Sequence, residues 1–247
     1  MKIHNHFIQQ KEQKRKIFAL LIDPDNISKS YINEFVTHCI EGKVDVILIG
    51  GSLMINAEFD QKMKYIKTAA GNLPVVIFPG GLNQISRYAD AILYLSLLSG
   101  RNAEYLIGNQ VIAAPIIKQL NLEAISTAYL LIESGQKTSV EFMSGTSPIP
   151  RDKTDIAVAH AIAAELLGFK LLYLEAGSGA KLTVPDEMIQ KVCSSVKIPV
   201  MVGGGIKSPD VANQKAKAGA DIIVVGNHFE KSGNNNFIKE FAHAIHD

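Results

Sequence analysis

Eight short runs of apolar, largely β-branched residues recur along the chain, at 17–22, 44–49, 75–78, 91–95, 125–132, 171–174, 198–202 and 222–225. Most are continuous rather than alternating, the pattern of strands buried on both faces of a parallel sheet. Stretches of helical periodicity separate most of them, at 28–41, 58–70, 102–118, 153–167, 185–195, 209–218 and 236–245. Ser208-Pro209 reads as a helix start, with Ser as cap and Pro at the first helical position. Gly71, Gly168 and Gly219 read as helix stops. Strands alternating with helices in this number predict an α/β fold, a (β/α)8 TIM barrel spanning 1–247 as one domain. One interval breaks the pattern. Between Phe78 and Ala91 stands Pro79-Gly80-Gly81-Leu82-Asn83, with little room for a helix. The third helix is therefore expected to be short or missing, leaving a groove on the outer wall.

The length of 247 residues suits such a barrel, which typically takes about 250. A hydrophobic fraction of 47% and a charged fraction of 20% are those of a soluble globular protein. The net charge of +1 offers no electrostatic case for nucleic acid or an anionic membrane surface. Cys39 and Cys193 fall far apart in helical stretches and read as small buried hydrophobes in a reducing compartment. The charged run 11–16 reads as a solvated helix end or a lead-in to the first strand. The apolar run after it is too short for a signal core or a membrane span. No membrane anchor and a cytoplasmic location are expected.

Candidate chemistry collects at the carboxyl ends of the predicted strands, where barrels of this kind place their active sites. Three late strands end in glycine-bearing turns: Tyr173-Leu174-Glu175-Ala176-Gly177-Ser178-Gly179, Val202-Gly203-Gly204-Gly205-Ile206 and Val225-Gly226-Asn227. Glycines let backbone N–H groups approach a ligand, and a helix start behind them adds partial positive charge, so these turns suit a phosphate. Glu175 is an anion beside an anion-binding turn. It makes sense as an acceptor for a substrate hydroxyl or as a general base. After the first strand, Asp23-Pro24-Asp25 fits two readings: a hard-cation site, with Asp23 the better ligand, or a turn with Asp25 or Ser28 capping a helix. Ser52, in Gly50-Gly51-Ser52, fits a cation or phosphate contact, or a cap. Tyr105 could face a ligand channel or simply pack. Lys181 fits a phosphate neighbour or a surface lysine. The histidines lie in the terminal tails (His4, His6, His243, His246), inside helices (His38, His160) or beside the last turn (His228), and no HExxH or GxSxG pattern occurs.

Taken together, Leu21-Ile22-Asp23-Pro24-Asp25, Ile49-Gly50-Gly51-Ser52, the Tyr-x-Glu-x-x-Ser-Gly of 173–179, and the 202–206 and 225–227 turns resemble the geranylgeranylglyceryl phosphate synthases, including their PcrB-like prenyltransferases. The resemblance runs from about Ile17 to Glu230. It implies a barrel lacking its third helix, in line with the short interval. It implies transfer of a prenyl group from a polyprenyl diphosphate to the primary hydroxyl of sn-glycerol 1-phosphate, with Mg²⁺ as cofactor. By position, Asp23 and Ser52 would hold Mg²⁺. Residues 173–179, Gly204, Gly205, Gly226 and Asn227 would hold glycerol phosphate, with Glu175 at its hydroxyls. Tyr105 aligns with a bulky position that limits tail length. The family's habit implies a homo-oligomer. Two positions depart from many relatives: Ser52 stands where they have Thr, and Ala176 where they have a second aromatic.

Competing readings are another phosphate-binding barrel, such as an isomerase of amino-acid biosynthesis, an FMN-binding barrel, or a non-catalytic phospholigand sensor. Asp23 and Glu175 on opposite sides of one mouth favour the prenyltransferase over these.

Overall fold

The structure, a computed structural model, describes residues 2–54, 58–226 and 235–247. Eight strands form a closed, all-parallel barrel: β1 (Ile17–Ile22), β2 (Val46–Ile49), β3 (Val75–Ile77), β4 (Ala91–Leu97), β5 (Glu123–Leu131), β6 (Leu171–Glu175), β7 (Val200–Gly203) and β8 (Ile222–Val225). Closure is by β1 on β8, with Ile17 opposite Ile222 and Leu20 opposite Val225. Side chains alternate across each strand. Ala19, Leu48, Val76, Leu93, Tyr173 and Met201 fill the barrel interior. Phe18, Leu20, Ile47, Ile77, Leu172 and Val202 face outward and pack under the helices. Burial on both sides is why these strands read as unbroken apolar runs.

The helices are α1 (Ile3–Glu12), α2 (Ile32–Glu41), α3 (Phe59–Ala70), α4 (Asn109–Gln119), α5 (Ser139–Ser144), α6 (Thr154–Leu166), α7 (Asp186–Ser195), α8 (Pro209–Lys217) and α9 (Asn235–His246). No helix stands between β3 and β4, so the helical layer is open there. The Ser208 hydroxyl accepts from Val211 N–H at 3.3 Å, with Pro209 at the first helical position. Gly71, Gly168 and Gly219 take positive φ at the ends of their helices.

Three features differ from the sequence pattern. His4 and His6 lie in a helix, not a tail. α1 inserts Ile3 and Phe7 into the apolar cluster of the barrel interior. Its free N–H groups at Ile3 and His4 donate to the Glu123 carboxylate at 2.8 and 3.0 Å. Lys11, from the charged run, pairs with Asp221 at 2.7 Å. These contacts put α1 across the amino-terminal end of the barrel. Second, α2 starts at Ile32 behind a Tyr31 that makes no side-chain cap, so neither Asp25 nor Ser28 caps it. Third, α4 is preceded by a π-helical turn over Glu104–Gly108. Two carbonyls of that turn find side-chain donors: Ser96 Oγ donates to Leu106 O at 2.7 Å, and Gln110 Nε2 to Tyr105 O at 3.1 Å.

Candidate active site

A cavity of about 800 Å³ opens at the carboxyl ends of the strands. Its floor is aromatic. Phe78, Tyr129 and Tyr173 pack with ring centroids 5.4–6.3 Å apart. Above them sits Glu175, the last residue of β6, only 5% exposed. Its Oε1 accepts the Gly177 N–H at 2.7 Å. Burial pushes its pKa up to about 7, and the adjacent Tyr173 hydroxyl and the Gly177 N–H hold it from rising further. The Tyr173 hydroxyl itself is buried and makes no hydrogen bond of good geometry within the protein. An ionisable carboxyl poised near neutrality and a buried hydroxyl beside it both line the cavity. Together they form a place where a ligand hydroxyl can exchange hydrogen bonds and a proton.

The glycine turns of β6, β7 and β8 supply one wall, through Gly177, Ser178, Gly179, Gly204, Gly205 and Gly226. Leu174 and Ala176 are buried outside the lining, packed under the helical layer. Gly204 takes φ +84°, and a Cβ there would fall 2.5 Å from Glu175 Oε1 and 2.7 Å from Ala176 N. Only glycine lets the β7 turn lie against the β6 turn this closely. Lys207 lines the cavity directly ahead of the α8 cap, adding charge beside a helix N-terminus. Asn227 and His228 lie outside the described residues.

Across the mouth stands Asp23. Its Oδ1 accepts the Asp25 N–H at 2.9 Å, and burial raises its pKa above the usual carboxylate value. A Cβ on Gly51 would come within 2.7 Å of Asp23 Oδ2, so the β2 turn presses on this carboxylate. Ser52 lines the cavity next to Gly51 and caps none of the described helices, since α3 begins at Phe59 behind Glu58. Asp25 is absent from the lining, and Lys181 is exposed and outside it. A partly buried carboxylate and a hydroxyl are oxygen donors of the hard type that Mg²⁺ takes, usually completed by waters and ligand phosphates. Among the described residues no group of three acidic, histidine or cysteine side chains gathers as a ready-made metal cage. That donor set therefore fits a cation held jointly with a phosphorylated ligand.

Sequence reasoning missed Gln84. It is fully buried in the segment that replaces the third helix. Its Oε1 accepts from Gly80 N–H at 3.1 Å and Gly51 N–H at 3.3 Å, and its Nε2 donates to Gly51 O at 2.7 Å. One side chain thus ties the β2 and β3 turns together. Two further lining residues were missed: Lys137, between β5 and α5, which carries no sequence signal, and Lys207, which its place before Ser208-Pro209 could have revealed. Tyr105 does line the cavity, with its hydroxyl donating to Met143 O at 3.1 Å.

Where the helical layer is open the cavity continues down the outer face of β3 and β4, past Leu82, Ile85, Ile92, Ala113 and Ile117. One continuous space thus joins a polar, glycine-walled end to an apolar groove.

Comparison with known proteins agrees with this geometry. A profile of the PcrB family matches residues 9–245. A geranylgeranylglyceryl phosphate synthase of Chitinophaga pinensis is 49% identical over 245 residues, covering 99% of this chain and 96% of its own. One from Pyrococcus horikoshii is 43% identical, covering 92% and 88%. The crystal structure of (S)-3-O-geranylgeranylglyceryl phosphate synthase from Thermoplasma acidophilum, in complex with substrate sn-glycerol-1-phosphate, superposes with a TM-score of 0.91 at 33% identity, covering 100% of this chain and 99% of that one. A tryptophan synthase alpha subunit from Legionella pneumophila, at 14% identity and a TM-score of 0.60, shares the fold alone. The barrel, its open third-helix position and these matches along nearly the whole chain show that the protein belongs to the PcrB family.

Proposed function

We propose that this protein joins a prenyl group, with geranylgeranyl as the reference length, to the free primary hydroxyl of sn-glycerol 1-phosphate, forming an ether and releasing diphosphate for phospholipid biosynthesis. The observation that carries this reading is the single cavity that unites a phosphate-type wall, a poised buried carboxyl and a long apolar groove. The names of the relatives point the same way.

In this reading the β6–β8 turns and Lys207 bind the glycerol phosphate, and the Tyr173 hydroxyl and Glu175 meet its hydroxyls. Glu175 Oε1 stays with Gly177 N–H, leaving Oε2 for the substrate. The glycerol oxygen forms its bond to the first prenyl carbon as the bond from that carbon to diphosphate breaks. The hydroxyl proton passes to Glu175, whose raised pKa makes it a competent base near neutral pH. Holding oxygen and carbon about 3–3.5 Å apart supplies much of the rate. Asp23 and Ser52 would hold Mg²⁺, which supplies charge neutralisation for the departing diphosphate. The groove at the open helix position takes the hydrocarbon tail, and Tyr105 narrows it.

The protein works in the cytoplasm in this reading: Cys39 and Cys193 are free thiols, and among the described residues no helix is long and apolar enough to cross a membrane. Copies of the chain associate. The support is an apolar face on α4 and the end of α6, where Val111 is 63% and Leu166 83% exposed, beside Ile112 and Leu167. A monomer rarely leaves so much contiguous apolar surface in water.

The test is incubation with Mg²⁺, sn-glycerol 1-phosphate and geranylgeranyl diphosphate, with sn-glycerol 3-phosphate in parallel, and mass spectrometry for the ether. Product from the first acceptor, lost in Asp23→Asn, is expected. Folded protein that makes no ether from either acceptor, with any prenyl length, refutes the proposal.

A further inference from the structure

α8 buries a lysine. Lys215 lies in its last turn and is 3% exposed, yet it does not line the cavity. Its Nζ donates to Val184 O at 2.9 Å and to Asp186 Oδ1 at 2.5 Å. Both acceptors belong to the connection that carries the chain from the β6 turn into α7. An ion pair at this depth adds little net stability, because desolvation offsets the attraction, and an apolar side chain of similar volume can pack as well. What the ammonium fixes is position. It holds two acceptors at set points, from a helix whose other end carries Lys207 into the cavity wall.

The segment so held, 180–184, backs both phosphate-type turns. Ala180 N–H donates to Gly177 O at 3.1 Å, which joins the segment to the β6 turn. A Cβ on Gly205, at φ +73°, would fall 3.1 Å from Ala180 O and 3.5 Å from the Leu182 carbonyl carbon, so the β7 turn rests on the same segment. Side chains from three places hold its carbonyls. Gln136 Nε2 donates to Gly179 O at 2.7 Å, Arg151 Nη2 to Thr183 O at 3.3 Å, and Lys215 to Val184 O. Of these three donors Lys215 alone is buried, so water competes least for its bonds. α8 therefore reaches the site twice, with Lys207 and its own N-terminus beside the β7 turn and with Lys215 behind the β6 turn. A phosphate lying between the two turns meets a gap whose width depends on that second hold.

We propose that Lys215 is a positioning residue for the phosphate of the acceptor: by tying α8 to Val184 and Asp186 it sets the spacing of the β6 and β7 turns, and with it the affinity for glycerol phosphate. This rests on the glycerol-phosphate reading of those turns. The prenyl diphosphate lies across the mouth, toward Asp23 and the apolar groove, where this spacing has no bearing. Lys215 thus acts on one substrate of the two, and it does so without touching it.

The experiment varies each substrate against a saturating partner, which separates the two KM values. Calorimetry gives the Kd of sn-glycerol 1-phosphate without turnover. The proteins are the wild type, Lys215→Met, Asp186→Ala and, as a control, Lys67→Met, which breaks the Lys67–Asp90 ion pair (2.7 Å) just ahead of β4, at the far end of the barrel. Lys215→Met keeps the stem and removes the ammonium. It should raise the Kd and KM of sn-glycerol 1-phosphate at least ~10-fold, about the loss of one hydrogen bond to a charged group, with kcat and the KM of geranylgeranyl diphosphate within ~3-fold of wild type. Asp186 has a half-exposed side chain, so Asp186→Ala should raise the same two constants by only ~3-fold. It carries the test if Lys215→Met does not fold. Lys67→Met should leave both constants at wild-type values, which separates positioning from general loosening. A folded Lys215→Met variant that binds sn-glycerol 1-phosphate as tightly as wild type, a parallel rise in the KM of both substrates, or an equal loss in Lys67→Met overturns the proposal and leaves the function standing. Wild type that binds no sn-glycerol 1-phosphate overturns the glycerol-phosphate reading and this proposal with it.

Discussion

Glu175→Gln should make this protein more stable and nearly inactive at once. Moving a carboxyl from its ordinary 4.5 to about 7 reflects burial of the charged form. It corresponds to about 3 kcal/mol of ionisation free energy. The sign follows from proton counting. Between pH 4.5 and 7 the native carboxyl keeps a proton that the unfolded chain has released, so stability falls as pH rises through that window. The full penalty is present above it. Glutamine carries no charge and its carbonyl can still accept the Gly177 N–H. The variant should therefore lose this part of the pH dependence and gain up to about 3 kcal/mol at pH 8. For a domain of this size that is a rise in Tm of ~6–10 °C. Thermal melts of ligand-free wild type and variant at pH 5 and pH 8 provide the assay. In parallel, wild-type turnover should rise with pH around 7, as the base ionises, and fall by about 10²–10⁴ in the variant. Equal pH 5-to-8 differences in Tm for both proteins, or near-normal turnover in the variant, would refute the reasoning.

Gly204→Ala places a Cβ 2.5 Å from Glu175 Oε1 at a φ of +84°. It should cost about 1–3 kcal/mol by chemical denaturation and raise the KM for glycerol phosphate more than it lowers kcat. Gln84→Ala strips both the β2 and β3 turns of a shared partner. A loss of about 2–4 kcal/mol is expected, with the KM for the prenyl diphosphate rising because Asp23 leans on Gly51. Val111→Glu combined with Leu166→Glu should shift the sedimentation coefficient toward that of a single chain without changing the melting curve by more than a few degrees.

The strands were legible because each is buried twice, once by the interior and once by the helices. β1 and β8 have the predicted bounds, and the others differ at one or both ends. The absent helix was legible as well, since Pro79-Gly80-Gly81 leaves no room for turns of helix before Ala91. α1 was not legible. Its buried positions, Ile3 and Phe7, are too few to define a face, and its cap, Glu123, is 120 residues away. Gln84 was hidden for the same reason, because what it satisfies is backbone 33 residues earlier. Asp23, Ser52 and Glu175 could be found because polar residues ending apolar strands are poorly explained by packing. Lys137 could not, because a loop lysine is ordinary until the space around it is known.

α1 also says something about the order in which the molecule assembles. Its anchors, Glu123 and Asp221, come from β5 and from the start of β8, 120 and 210 residues along the chain from the groups they hold. The cluster that receives Ile3 and Phe7 draws side chains from β1 through β8. The receptor for this helix therefore does not exist until the last strand has closed the ring. Contacts of such long sequence separation are slow to form. A segment that precedes every strand of the barrel is thus the last to dock, and until it does the interior of the barrel is open to water from below.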